Sequence, residues 1–256
     1  MHMADKTIKN PLRKRILRDI RKEKGKYISI FLFLTFMISI VSGMLVTSLS
    51  MMHTYDDGIE TYKLEDGHFS TNSEISVADL QKIADQEDSG TAKATIYKQY
   101  FYNFDYTFEG NSNYSIRLYE NRETLNTYSV FEGHAPEKDG ELAIDRLFAE
   151  NNNLKIGDTL TFDGKDLTIC GTVAVPDYSC LFENNSDSMF SATTFTTGFV
   201  TADYFKEFSE SKLTYSFAYR FSDRSLDDRA SYDASTDLMN TLSEQLAPQG
   251  NYLTDF

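Results

Sequence analysis

The sequence holds no tryptophan, two cysteines and four histidines in 256 residues. Two cysteines cannot build the disulfide framework on which small secreted scaffolds depend. The histidines, His2, His53, His68 and His134, form no H-E-x-x-H and no pair at metal-ligand spacing, so surface or hydrogen-bonding roles are read for them. No G-x-S-x-G elbow exposes a serine nucleophile, and no G-x-x-x-x-G-K-S/T loop cradles a phosphate. Carboxylates are numerous but scattered, and the adjacent Asp227 and Asp228 read as solvated surface. Neither a catalytic residue nor a cofactor or metal site is assigned, and the chain does not read as an enzyme. Repeats and low-complexity tracts are absent too.

What is present divides by charge. The net charge of −14 hides a split: residues 1–26 hold ten Lys/Arg against three Asp/Glu, and the rest holds fifteen against thirty-six. Opposite charge regimes in one chain imply two environments. An acidic body excludes nucleic acid as the partner, since phosphates are bound through clustered cations. With 19 Phe and 16 Tyr, the body is a folded domain rather than an acidic disordered tail.

Between the two regimes lies a run without charge, Tyr27 to Met52, long enough for a membrane-spanning helix of about 20 residues. Its core, Ile28–Val46, shows no polar face. Lys9, Arg13, Lys14, Arg15, Arg18, Arg21, Lys22, Lys24 and Lys26 precede it, while Asp56, Asp57, Glu60, Glu65 and Asp66 follow with a lone Lys63. By the positive-inside rule the N-terminus is cytoplasmic and the body outside. The apolar run exceeds that of a cleaved signal peptide, no A-x-A site follows, and no cysteine nearby offers a lipoprotein site. The basic segment has Asn10-Pro11 as a cap and first turn, with Leu12, Ile16, Leu17 and Ile20 at helical spacing. It reads as an amphipathic helix at the inner membrane interface, broken near Gly25 before the span.

In the body, Ser76 caps a short helix over 77–84, with apolar residues at 77, 80, 83 and 84. "TAKATIYKQYFYNFDYTFEG" reads as one long strand or two paired strands, and "NYSIRLYE" as another. "ELAI" is a strand and Asp145 caps the helix after it, which stops at Asn151–Asn153. Asp163-Gly164 turns a tight hairpin between "KIGDTLTF" and "KDLTICGTVAV", which Pro176 ends. Leu238, Leu242 and Leu246 mark a late amphipathic helix stopped by Pro248 and Gly250, and "NYLTDF" is extended. The fold class is therefore α+β: a transmembrane helix, then a mixed extracytoplasmic domain with a small β-rich sub-domain, barrel or half-barrel, over about 111–190. The organisation is a basic cytoplasmic segment 1–26, a span 27–52 and an extracytoplasmic body 53–256.

The order of basic helix, "KGKYISIFLFL", "VSGMLV", ectodomain and "GELAIDRLFAENNNLKIGDTLTFDGKDLTICGTVAVPDYSCLF" resembles FtsX-like ABC transporter permeases with a MacB-like extracytoplasmic core domain, in the branch of Gram-positive bacteria. The resemblance implies a first span, a large outer domain and three later spans. It implies dimers of permeases, a separate cytosolic ATPase subunit, and a stroke passed outward to expel peptides or lipids, extract lipoproteins or control a cell-wall enzyme. No second apolar run of about 18 residues follows Met52, so the expectation is a fragment or a truncated permease.

Two features remain open. Cys170 ends a strand and Cys180 follows a turn; a bridge would close a short loop and add about 2–3 kcal/mol, while two separate, partly buried thiols are the favoured reading. Asp177, Tyr178, Asn184, Asn185 and Asp187 cluster on a polar loop, where binding residues and ordinary turn formers look alike. The leading function is the N-terminal part of a permease subunit of the cell membrane, its body coupling a partner's ATP hydrolysis to export or mechanical work. The alternative is a single-span anchored extracellular binding or regulatory domain with no ATPase.

Overall fold

The computed structural model describes residues 22–85, 93–108, 111–178, 181–183 and 191–255. The chain divides into two units, one ending at Asp57 and one spanning Gly58–Phe256. The amphipathic segment read before Lys22, with Lys9, Arg13, Lys14, Arg15, Arg18 and Arg21, lies outside the described residues.

Helix α1, Lys24–Thr61, buries none of its residues and is long and apolar enough to cross a membrane. Gly25 does not break it; the interruption falls at Glu23, and Gly25 sits in the first turn of α1. The helix also runs past Met52, because helix formation depends on backbone bonding rather than on where the apolar run stops. Thr47 and Thr54 return their hydroxyls to the carbonyls of Gly43 and Ser50 at 2.8 and 2.9 Å, so their polarity is satisfied within the helix.

The body comprises β1 (Gly67–Thr71), α2 (Val77–Ala84), β2 (Ala94–Lys98), β3 (Phe101–Phe108), β4 (Asn111–Glu120), β5 (Ser129–Gly133), β6 (Glu141–Asp145), α3 (Arg146–Asn151), β7 (Thr159–Phe162), β8 (Lys165–Ala174), β9 (Phe195–Val200), α4 (Ala202–Phe205), β10 (Leu213–Phe221), α5 (Asp228–Leu246) and β11 (Leu253–Asp255). The strands follow the order β11-β1-β10-β3-β4-β9-β6-β8-β5, with β2 on β10 and β7 on β8. Most pairs are antiparallel, but β4–β9 and β6–β8 are parallel. The fold is α+β, as expected. The β-rich stretch supplies β4 to β8, and β4 carries the same strand path on to β3 and β10. Both β2 and β3 pair with β10 rather than with each other, so the long aromatic stretch is one line interrupted at Gln99-Tyr100, not a hairpin. Among the described residues, β11 pairs with β1 at two positions, Ser70 with Asp255 and Thr71 with Leu253.

Local chemistry sets the element ends. Ser76 accepts from the N–H of Asp79 at 3.1 Å, and Asp145 Oδ1 accepts from Leu147 and Phe148 at 2.8 and 3.2 Å. Asp227 is more than solvated surface: it caps α5 through the N–H of Ala230 at 2.8 Å. Asp163 and Gly164 both have positive φ, 50° and 73°, as a tight β7–β8 turn demands. The main core lies on one face of the sheet. It joins Phe69, Tyr102, Phe104, Ile116, Leu118 and Phe217 to the buried faces of α2 (Leu80, Ile83) and α5 (Leu238, Leu242, Leu246). The last turn of α1, Gly58–Thr61, belongs to the body. Glu60 there meets Arg220 at 2.9 Å and Arg224 at 3.0 Å, and Arg224 in turn meets Asp66 at 2.7 Å.

Candidate functional site

Strand periodicity decides what the other face of the sheet presents. In β4, Ile116 and Leu118 enter the main core, so Arg117 and Tyr119 must face the opposite way. In β1, Phe69 goes inward and His68 and Ser70 outward; in β3 and β10, Phe101 and Ser216 do the same. These residues line a cavity of about 610 Å³ with Glu65, Arg122, Asp177 and Tyr178, a volume ordinary for a small-molecule site.

Two guanidinium groups define the site. Arg122 donates to Asp177 Oδ2 at 2.6 Å, with 5% and 10% of the two side chains exposed. Its guanidinium lies 4.0 Å from the Tyr119 ring centroid. Burial pushes the Asp177 carboxyl above its ordinary range, against the pull of Arg122. Arg117 donates to Tyr178 Oη at 2.8 Å, to the Glu183 carbonyl at 2.7 Å and to Asn103 Oδ1 at 3.1 Å, and covers the Phe101 ring at 4.5 Å. The Tyr119 and Tyr178 hydroxyls share a hydrogen bond of 2.7 Å, and desolvation holds the Tyr119 phenol well above its usual pKa. His68 bonds Glu65 at 2.8 Å, and this carboxylate raises the imidazole above 6.5 against the opposing effect of burial. Asn126 reaches back to hold Glu65 through its side-chain amide. Arg122 Nε and Asp177 Oδ1 have no hydrogen-bond partner among the described residues. The wall thus carries positive and negative groups side by side, with Arg122 paired to Asp177 and His68 to Glu65.

Of the polar loop residues singled out in the sequence, Asp177 and Tyr178 reach this cavity, held by a turn of 3-10 helix, Pro176–Tyr178. Asn184, Asn185 and Asp187 lie outside the described residues. Lys22, Lys24 and Lys26 are exposed, and Lys26 meets Glu23 at 3.2 Å. Cys170 is a free, buried thiol pushed up to about 11 by desolvation, and Cys180 lies outside the described residues. Sequence reading missed Arg117, Tyr119 and Arg122. For Arg117 and Tyr119 the signal was the alternation in "SIRLY", where a charge and a ring interleave with Ile116 and Leu118; Arg122 lies beyond that stretch and had no such signal. A second group, His134, Glu141 and Cys170, brings three metal-ligating atoms within 4.8 Å of one another.

No protein-family model matches the sequence, and no curated relative does. By structure the chain is similar to the periplasmic region of MacB from Actinobacillus actinomycetemcomitans, with 9% identity and a TM-score of 0.39 over 73% of this chain and 86% of that one. It is also similar to the extracellular domain of the noncanonic ABC-type transporter YknZ from Gram-positive bacteria, with 7% identity and a TM-score of 0.37 over 74% of this chain and 100% of that one.

Proposed function

We propose that the chain is the first span and extracytoplasmic body of an ABC-transporter permease, whose body turns ATP hydrolysis by a cytosolic partner subunit into export or mechanical work outside the membrane. The observation that carries this reading is α1. It runs unbroken from Lys24 to Thr61 with no buried residue, and its last turn is fixed within the body by the Glu60–Arg220–Arg224–Asp66 ion pairs. Glu60 in that last turn thereby meets Arg220 of β10 and, through Arg224, Asp66 beside β1. The resemblance of "GELAIDRLFAENNNLKIGDTLTF" to MacB-like core domains supports the same reading, and it brings with it a paired or homodimeric permease. The cations ahead of the span put the N-terminus in the cytoplasm and the body outside.

The test is purification of the full chain from its own membranes in mild detergent, with photolabelling by an azido-ATP probe. A copurifying, labelled cytosolic subunit is expected, and Glu60→Ala should leave that subunit bound while removing the effect of the body on its hydrolysis rate. Absence of any labelled subunit sinks the permease reading. For orientation, Tyr252→Cys, at a site 59% exposed, should react with a membrane-impermeant maleimide in intact cells. Labelling only after permeabilisation reverses the topology. The cavity around Arg117 and Arg122 favours a second reading, an anchored binding domain without an ATPase.

A further inference from the structure

Strand β8 lies between β5 and β6. Against β6 it pairs Ile169 with Leu142 and then Gly171 with Ala143, so Cys170 is the extra residue of a bulge. A bulge re-aims a side chain that regular pleating would direct elsewhere. On the other flank Gly133 pairs with Gly171, and the N–H of His134 donates to the Cys170 carbonyl at 3.1 Å. The loop from His134 to Gly140 then returns the chain to Glu141, the first residue of β6. Glu141 Oε2 accepts from the N–H groups of Glu137 and Lys138 at 2.8 and 3.1 Å, which fixes this carboxylate in place. Its Oε2 lies 4.0 Å from His134 Nδ1, and Cys170 Sγ lies 3.4 Å from the His134 carbonyl.

We propose that His134, Glu141 and Cys170 form a zinc site that ties the end of β5 to the start of β6 across the bulge of β8. A thiol, an imidazole and a carboxylate together suit zinc, whereas magnesium and calcium take oxygen ligands alone. Three protein ligands leave a fourth tetrahedral position for water. Tetrahedral bonds of about 2.0–2.3 Å set the ligand atoms roughly 3.3–3.6 Å apart, so from within 4.8 Å the three groups close by about 1.5 Å or less on binding. His134, with half of its side chain exposed, is free to turn, exchanging its 2.8 Å bond to the Ala135 carbonyl for the metal. On binding, the Cys170 thiol proton leaves to solvent and the sulfur coordinates as thiolate. The open side of His134 gives the ion its way in.

The experiment uses the full chain in detergent micelles, stripped with EDTA, in a Cys180→Ser background that leaves Cys170 as the one thiol. Cobalt(II) is the probe, because a cobalt–thiolate bond gives a near-ultraviolet charge-transfer band. One equivalent of cobalt should raise that band, zinc should abolish it, and magnesium should not. Cys170→Ser should remove it. His134→Ala and Glu141→Gln, both at solvent-accessible side chains, should each weaken cobalt binding by at least about tenfold, the smallest effect typical even of outer-sphere changes, with far-UV circular dichroism unchanged. No band in the Cys180→Ser protein overturns the proposal. So does a band that survives Cys170→Ser, or binding indifferent to both His134→Ala and Glu141→Gln.

Discussion

Removing either partner of the Arg122–Asp177 pair should destabilise the body, and the two removals should respond to pH differently. The side chains are 5% and 10% exposed and meet at 2.6 Å, and breaking such a buried pair costs about 3–5 kcal/mol, because a charge is left without its partner. In Asp177→Asn the stranded group is a guanidinium that cannot give up its proton, so the loss should hold steady once pH lies above the raised folded value of Asp177. In Arg122→Met the stranded group is a carboxyl already pushed up by burial; without Arg122 it rises further and can neutralise itself. A carboxyl whose folded pKa exceeds its unfolded one holds more protons when folded, so stability falls as pH rises between the two values. The Arg122→Met deficit should therefore widen from about pH 5 to pH 8, with a further ~0.5–2 kcal/mol from the lost packing over Tyr119. The apolar double change Arg122→Met/Asp177→Leu should fall well short of the sum of the singles, with a coupling of at least ~1 kcal/mol. Urea unfolding of the full chain in micelles, followed by tyrosine near-UV circular dichroism, measures all three. Additive losses, or single losses below about 1 kcal/mol, refute the reasoning.

Three further outcomes are expected. His68, raised by Glu65, adds stability that is complete below the unfolded histidine value and is lost as pH climbs through the folded one; the urea-midpoint gap between wild type and His68→Gln should shrink from about pH 5.5 to pH 8.5, and a constant gap would count against the Glu65 contact. Gly198→Ala places a methyl 2.7 Å from Ile116 Cδ1 and 3.0 Å from Leu142 Cδ1, an overpacking cost of roughly 1–3 kcal/mol readable as a lower melting temperature. Glu60 is 60% exposed, so Glu60→Ala should move unfolding free energy by less than about 1 kcal/mol; a larger loss would make the cluster a structural element of the body and not a transmitter.

The elements that were readable from sequence are those whose signals are local. Asp163-Gly164 needs only its own backbone to turn, and Ser76 and Asp145 cap helices two or three residues away. The span is legible because lipid selects composition directly. Sheet order was not legible: the parallel pairing of β4 with β9 and of β6 with β8 joins segments far apart in sequence, and no nearby residue encodes it. The cavity escaped for the same reason. Arg122 and Asp177 are 55 residues apart; the sequence singled out Asp177 and Tyr178 as a candidate loop site, but nothing near Arg122 tied it to them. Gly25 misled because a glycine weakens a helix by only about 1 kcal/mol, less than a long apolar helix gains from its neighbours in register.

The thin seam between β1 and β11 sets how the body yields under load. The two strands run antiparallel, so α1 enters β1 at the same end of the seam from which β11 leaves. Tension between these two ends opens the seam rung by rung, each hydrogen bond taking the load alone, and among the described residues two paired positions and then the Asn72–Tyr252 bonds stand in line. The β1–β10 ladder behind it has five, from Gly67 with Tyr219 to Thr71 with Tyr215, and Glu60 and Asp66 are tethered beside it. Among the described residues β11 is thus the strand held by the fewest pairs, and because Thr254 and Asp255 line the cavity, loosening it opens one wall of that cavity while the β1–β10 ladder stays paired.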